Sequence, residues 1–141
     1  MTGPYITAQS AGRVMVEAKS GSIITLGSIS STLAMDPRSY KPGYPRSGAP
    51  YVAAKGGVLM ITKAMAAEYG EHGVTVNCIS PGQIPKNTTD PDQIENFRKM
   101  NAFQRTGIPE NLKGTVALLA SDAGNWITGQ EFRVDGGWSI W

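Results

Sequence analysis

Three short β-branched runs, spaced far enough apart to leave room for helices, constrain this sequence more than any other feature. Ser22-Ile23-Ile24-Thr25-Leu26-Gly27 is bounded by glycines, Val74-Thr75-Val76-Asn77-Cys78-Ile79 ends at Ser80-Pro81-Gly82, and Glu131-Phe132-Arg133-Val134-Asp135 ends at Gly136-Gly137. Each reads as a strand. The first two lack polar alternation, as strands buried on both faces do. Helical spacing fills the intervals. Residues 5–19 carry Ile6, Ala8, Ala11, Val14, Met15 and Ala18, and Ser20-Gly21 stops them. Tyr51 to about Tyr69 is apolar all round, which predicts a helix buried on more than one side. Residues 92–104 predict a polar surface helix. Pro109 to Ser121 predicts another, with Leu112, Val116, Leu118 and Leu119 on its apolar face. Residues 29–50 and 83–91 read as loops. Strands alternating with helix-length crossovers predict an α/β fold, a parallel sheet flanked by helices.

Several function classes are excluded at this stage. A net charge of +2 over 141 residues, with no lysine or arginine run, argues against a nucleic-acid or membrane partner. The single cysteine, Cys78, rules out an internal disulfide framework and fits a reducing compartment. Within its apolar strand it reads as an inert buried thiol. No apolar run approaches the roughly 20 residues of a membrane helix. The opening Met1-Thr2-Gly3-Pro4 has no charged segment leading into an apolar one, so no signal peptide is expected. A cytoplasmic protein is the resulting expectation. No metal is expected: His72 has no Cys, His or Asp cluster around it and reads as a cap on helix-end carbonyls.

In parallel sheets ligands bind beyond the carboxyl ends of the strands. Ser28 follows the first strand, Pro81-Gly82 follows the second, and Tyr51 and Lys55 open a helix at the same rim. Four residues apart, Tyr51 and Lys55 share a helix face. A lysine in the first turn is electrostatically out of place, because the helix N-terminus is itself partly positive. A phenol ordinarily titrates near pH ~10, and an adjacent ammonium favours its phenolate. Such a pair serves as a general acid/base toward a carbonyl oxygen, which Ser28 could hold by a hydrogen bond. Taken alone, Tyr-x-x-x-Lys equally describes a surface pair. Gly56-Gly57 within the same helix cost about 1 kcal/mol each relative to Ala, which predicts a close backbone approach there.

Longer strings carry a resemblance. Gly21-Ser22-Ile23-Ile24-Thr25-Leu26-Gly27-Ser28, Tyr51-Val52-Ala53-Ala54-Lys55-Gly56-Gly57-Val58 and Gly73-Val74-Thr75-Val76-Asn77-Cys78-Ile79-Ser80-Pro81-Gly82-Gln83-Ile84 occur in that order. Ala120-Ser121-Asp122-Ala123, Ile127-Thr128-Gly129-Gln130 and Val134-Asp135-Gly136-Gly137-Trp138 follow. Together they resemble the catalytic, C-terminal half of the short-chain dehydrogenase/reductase family. The resemblance implies a Rossmann-like parallel sheet flanked by helices, present as a partial fold in a single domain over residues 1–141. It implies an NAD(P)-dependent oxidoreductase that moves hydride between nicotinamide and an alcohol or carbonyl. Tyr51 would be the acid/base and Ser28 would orient the substrate. Lys55 would bind the nicotinamide ribose and depress the tyrosine pKa. Pro81, Gly82 and the backbone at Ile84 would face the nicotinamide of NAD or NADP.

The sequence departs from the family pattern in several places. The glycine-rich phosphate turn, the residue that selects NAD or NADP, and the Asn-Asn-Ala-Gly segment are absent. The 29–50 loop is longer than the family pattern, which leaves Ser30 and Ser31 as alternates to Ser28. The threonine expected after Pro-Gly is displaced; Thr88 is nearest, and it reads equally well as a structural loop residue. Residues 22–27 should form an unpaired edge. The expected partners are a small alcohol or carbonyl substrate, a second copy in a homodimer or homotetramer packed through its helices, or an N-terminal half. A different class of reading stays open: a truncated, non-catalytic chain acting as an assembly subunit or folding remnant. A binding module for acidic polymers has only the pI of about 8.8 in its favour. The 29–50 loop and the 83–104 segment should line the substrate pocket. Tyr40, Tyr44, Trp138 and Trp141 are candidate contacts, although packing explains the tryptophans equally well.

Overall fold

A computed structural model describes residues 2–141. Its elements run α1 (Thr2–Ala18), β1 (Gly21–Leu26), α2 (Gly48–Tyr69), β2 (Val74–Pro81), α3 (Pro91–Lys99), α4 (Lys113–Leu119) and β3 (Glu131–Val134). Short 3-10 turns cover Ile29–Ser31, Pro37–Ser39, Gly70–His72, Pro109–Leu112 and Asp122–Gly124. The three strands form one parallel sheet in the order β1-β2-β3. Gly21 lies opposite Val74 and Leu26 opposite Ile79, while Cys78 to Pro81 run beside Glu131 to Val134. No helix among the described residues is long and apolar enough to cross a membrane.

Alternation along the strands sends side chains to the two faces. Ile23, Val74 and Val76 join Ala8 of α1 and Met65, Ala66 and Tyr69 of α2 in the main core. The contact between the two helices is tight. A Cβ on Gly12 would lie 2.4 Å from the Tyr69 ring, so only glycine lets α1 seat there. The Thr25 and Thr62 hydroxyls, 2.6 Å apart, pair within this buried layer. On the opposite face α4 meets β1, where the Ser22 hydroxyl donates to the Leu119 carbonyl at 2.7 Å.

The far edge of β2 is finished by an irregular segment. Gly129 N donates to the Val76 carbonyl (2.8 Å) and Cys78 N to the Gln130 carbonyl (2.9 Å). Val76 N donates to the Thr128 hydroxyl (3.0 Å). The fully buried Asn77 fixes that segment from the strand side. Its amide donates to the Ile127 carbonyl (2.7 Å) and its oxygen accepts from Gln130 N (3.1 Å).

Several expected boundaries move. Helix α1 begins at Thr2 and α2 at Gly48, each taking a proline into its first turn (Pro4, Pro50). Strand β2 continues through Pro81. The 92–104 helix ends at Lys99, and the 109–121 helix divides into a 3-10 turn and α4. Of the four apolar residues on that last helix only Leu119 is buried. Helix α2 is covered by the sheet, by α1 and by the turn after β1, but not all round: Met60, on its outer face, is 61% exposed. His72 caps no carbonyl; its ring stands 3.5 Å from Glu71 in a 3-10 turn. Replacing Asn77 with Ala should leave the part-buried Ile127 carbonyl and Gln130 amide without their side-chain partner. The expected loss is about 3 kcal/mol, read as a lower midpoint in urea unfolding.

Candidate active site

The first strand leaves the sheet through Gly27, whose amide donates to the Ile79 carbonyl at 2.8 Å. A Cβ there would come within 2.6 Å of the Cys78 sulfur and 2.7 Å of the Ser80 hydroxyl. Ser28 then caps the 3-10 turn. Its oxygen accepts from Ser30 N (3.1 Å), and its own amide donates to the Ser31 hydroxyl (3.1 Å). The cap fixes where the Ser28 hydroxyl sits and leaves its hydrogen free to donate. Of the two alternates, the Ser31 hydroxyl is committed to the Ser28 amide, and Ser30 lines the same cleft as Ser28 but is buried in the turn.

A relay of polar contacts braces this turn from β3. The Ser80 hydroxyl donates to Glu131 (2.7 Å), Arg133 Nε donates to the same carboxylate (3.2 Å), and Arg133 Nη2 donates to the Thr32 hydroxyl (2.6 Å). Thr32 is the residue that closes the Ser28 turn. Helix α2 also presses on it: a Cβ on Gly56 would meet the Ser31 carbonyl at 3.3 Å, the close approach that the glycine pair predicts.

Because α2 starts at Gly48, Tyr51 completes its first turn and Lys55 lies one turn deeper. The expected first-turn position of Lys55 is therefore corrected. What holds the lysine is a carbonyl. Its Nζ donates to the Leu26 carbonyl at 2.9 Å, 5.9 Å from the centre of the Tyr51 ring. Alternation along β1 explains why that carbonyl is free. Gly27 N faces β2, so the backbone groups of Ser22, Ile24 and Leu26 face the outer edge.

Strand β2 ends in Pro81-Gly82. Gly82 crosses the end of β3 so closely that a Cβ would lie 2.6 Å from the Asp135 Cα. Ser28, Tyr51, Lys55, Pro81, Gly82 and Ile84 all line one open cleft of about 660 Å³ at the carboxyl rim of the sheet, within the ordinary range for small-molecule sites. Tyr40, Gln83 and Lys86 line it as well, and no carboxylate does. Thr88 is exposed and outside it, whereas Gln83, Ile84 and Lys86 of the same loop reach the cleft. Tyr44 and Trp138 belong to an aromatic cluster behind the wall, and Trp141 is exposed. Cys78 is fully buried. No group of three potential metal ligands occurs among the described residues.

The long 29–50 loop is ordered by α3. The Gln93 amide bonds to the Ser39 carbonyl and the Lys41 amide, and Lys41 forms an ion pair with Asp90 at the start of α3. Sequence reasoning missed Gln93, Gln83 and Lys86. Nothing in an otherwise polar segment marks Gln93 as buried, whereas the stretch just past Pro81-Gly82 at the strand rim was a usable signal for Gln83 and Lys86.

A family model described as enoyl-(acyl carrier protein) reductase matches residues 1–139. The chain belongs to the short-chain dehydrogenase/reductase family. A galactitol 2-dehydrogenase (L-tagatose-forming) of Cereibacter sphaeroides is 33% identical over 99% of this chain and 54% of its own length. A short chain dehydrogenase from Leptospira borgpetersenii with bound NAD+ is 34% identical, with a TM-score of 0.90 over 99% of this chain and 53% of that one. A gluconate 5-dehydrogenase from Burkholderia cenocepacia in complex with NADP and tartrate is 30% identical, with a TM-score of 0.88 over 100% and 53%. The chain thus spans about half the length of the curated relatives it matches. Its three-stranded sheet and helices are a partial Rossmann fold of this short-chain dehydrogenase/reductase type.

The Lys41–Asp90 pair makes the loop's attachment pH-dependent. The hydrogen bond from Lys41 holds the Asp90 carboxyl below the usual carboxylate range, and the same bond holds Lys41 above the usual lysine range. The pair's contribution is complete above the ordinary carboxylate pKa, about 4, and is lost as pH falls through the lower folded-state value. On the alkaline side it is complete below the ordinary lysine pKa and is lost as pH rises through the higher one. Amide hydrogen exchange in residues 36–44 should therefore accelerate in acid, beyond its intrinsic pH dependence, and Asp90→Asn should remove that acid-dependent increment.

Proposed function

We propose that this chain carries the catalytic residues of an NAD(P)-dependent oxidoreductase that interconverts an alcohol and a carbonyl. The observation that carries this reading is the single cleft shared by Ser28, Tyr51, Lys55, Pro81, Gly82 and Ile84. In the reductive direction the Tyr51 hydroxyl gives its proton to the carbonyl oxygen, and in the oxidative direction it takes the proton back. The Ser28 hydroxyl, held by its cap, donates a hydrogen bond to that oxygen and fixes its direction. Lys55 has donors left after its bond to Leu26. They suit the nicotinamide ribose hydroxyls.

The residues fit the nicotinamide end of NAD or NADP. Pro81, Gly82 and Ile84 would hold the ring, the cleft carries two lysines and no carboxylate, and its position is the carboxyl rim. A nicotinamide held there would supply or accept the hydride. The remainder of the dinucleotide finds no cradle among the described residues. The turn after β1 enters a 3-10 turn and the turn after β2 a loop, so neither strand feeds a helix N-terminus directly.

Turnover in this reading needs a dinucleotide-holding half, and the open edge of β1 is where it would pair; Leu26 there is 58% exposed. A homodimer or homotetramer built through the outer faces of α1 and α2 is part of the same proposal, supported by the exposed Val14 and Met60. A cytoplasmic location is supported by the buried free thiol of Cys78. The missing phosphate cradle favours a second reading, a non-catalytic assembly subunit.

In the chain joined to a dinucleotide-holding half, replacing Tyr51 with Phe should lower kcat with NADH or NADPH roughly a thousandfold. The unfolding midpoint should stay unchanged, and retained turnover would refute the assignment. Titrating the purified chain with each nucleotide should give weak binding only. Tight binding would contradict both the assembly-subunit reading and the account of a chain that holds only the nicotinamide end.

A further inference from the structure

Gln93 has zero exposure on a helix whose other polar residues face solvent. Its amide grips main chain on both sides of one residue. Nε2 donates to the Ser39 carbonyl at 2.7 Å, and Oε1 accepts from the Lys41 amide at 2.9 Å. The residue between is Tyr40. The Lys41–Asp90 ion pair closes the outer side of this clamp. Aromatic contacts fix the ring: Phe97 meets Tyr40 edge-on at 5.7 Å, Trp138 backs Phe97 at 6.0 Å, and Tyr44 flanks Tyr40 at 6.3 Å. A residue in the middle of a long loop is thus fixed through both its backbone and its ring.

Tyr40 is aimed at the chemistry. It lines the same cleft as Tyr51, with Gln83 beside it. Burial pushes its phenol above the usual tyrosine range, and the facing Tyr51 adds to the shift. At neutral pH it is an uncharged hydroxyl able both to donate and to accept. A wall that offers a fixed phenol, itself hydrogen-bonded to the Gln83 side chain, favours ligands that can join that bond over ligands that cannot.

We propose that Tyr40, together with Gln83, is a specificity-determining residue that binds a hydroxyl on the substrate carbon next to the reacting one, and that Gln93 is the positioning residue that holds it. The substrate class is then an α-hydroxy ketone or the matching vicinal diol. The inference rests on the oxidoreductase reading and names the substrate class of that same site.

The experiment compares hydroxyacetone with butanone, which differ by a hydroxyl in place of a methyl group. With the full chain, Tyr40→Phe should cut the ratio of kcat/KM for hydroxyacetone over butanone about tenfold, mainly through KM. Gln93→Met should lower the same ratio and speed amide hydrogen exchange in residues 36–44. Equal losses on both ketones, or none, would overturn the proposal, since loosened structure alone would not favour one over the other. A wild-type chain that reduces neither ketone alone, as one without its dinucleotide-holding half would, leaves the Tyr40 assignment to be decided by saturation-transfer NMR with 1,2-propanediol and 2-butanol. Contact with the diol that exceeds contact with 2-butanol and is lost in Tyr40→Phe supports it. Contact that is equal in both proteins, or absent from the wild type, overturns it.

Discussion

The pairing of β1 with β2 is the constraint on which the remaining architecture depends. Six consecutive residue pairs lock Gly21–Leu26 beside Val74–Ile79, and Gly27 extends the ladder by one more hydrogen bond. The two strands run the same way, so both leave the sheet at one rim. The serine turn and the Pro81-Gly82 turn are consequently neighbours in space although about fifty residues apart in sequence. A slip of one residue would exchange the faces of every side chain in the strand. It would take Ile23 out of the core it shares with Met65 and Val76, and Thr25 away from Thr62. Register and the geometry of the candidate site are therefore one property.

Much of this was legible from residue order. The β-branched runs are strands, their parallel arrangement followed from helix-length crossovers, and the residues singled out for chemistry share one cleft. The errors have physical causes. Pro50 read as loop, yet a first helical turn has no use for the amide that proline lacks, so α2 extends through it. That extension also moves Lys55 inward. The all-apolar character of α2 expresses the need for cover on several sides without naming the cover. Gln93 was illegible for a different reason: a glutamine is buried only when backbone from elsewhere arrives to satisfy it, and that backbone lies some fifty residues away.

The serine turn and the tyrosine helix are braced from several directions at once. β3 reaches the turn through Glu131, Arg133 and Thr32, α2 presses on it at Gly56, and Lys55 returns from the helix to the strand at Leu26. Reacting groups gain most from a site whose supports are themselves held. Here the supports come from all three strands, so no single loop sets the position of the Ser28 hydroxyl.

The grip of Gln93 falls on a carbonyl and an amide, groups that every residue except proline possesses. It is therefore indifferent to which side chains occupy positions 39, 40 and 41, provided that position 41 keeps its N–H. Position 40 can be exchanged over evolutionary time while its backbone stays where it is. A lineage could retune what this wall recognises by single substitutions, without first giving up the frame that aims them.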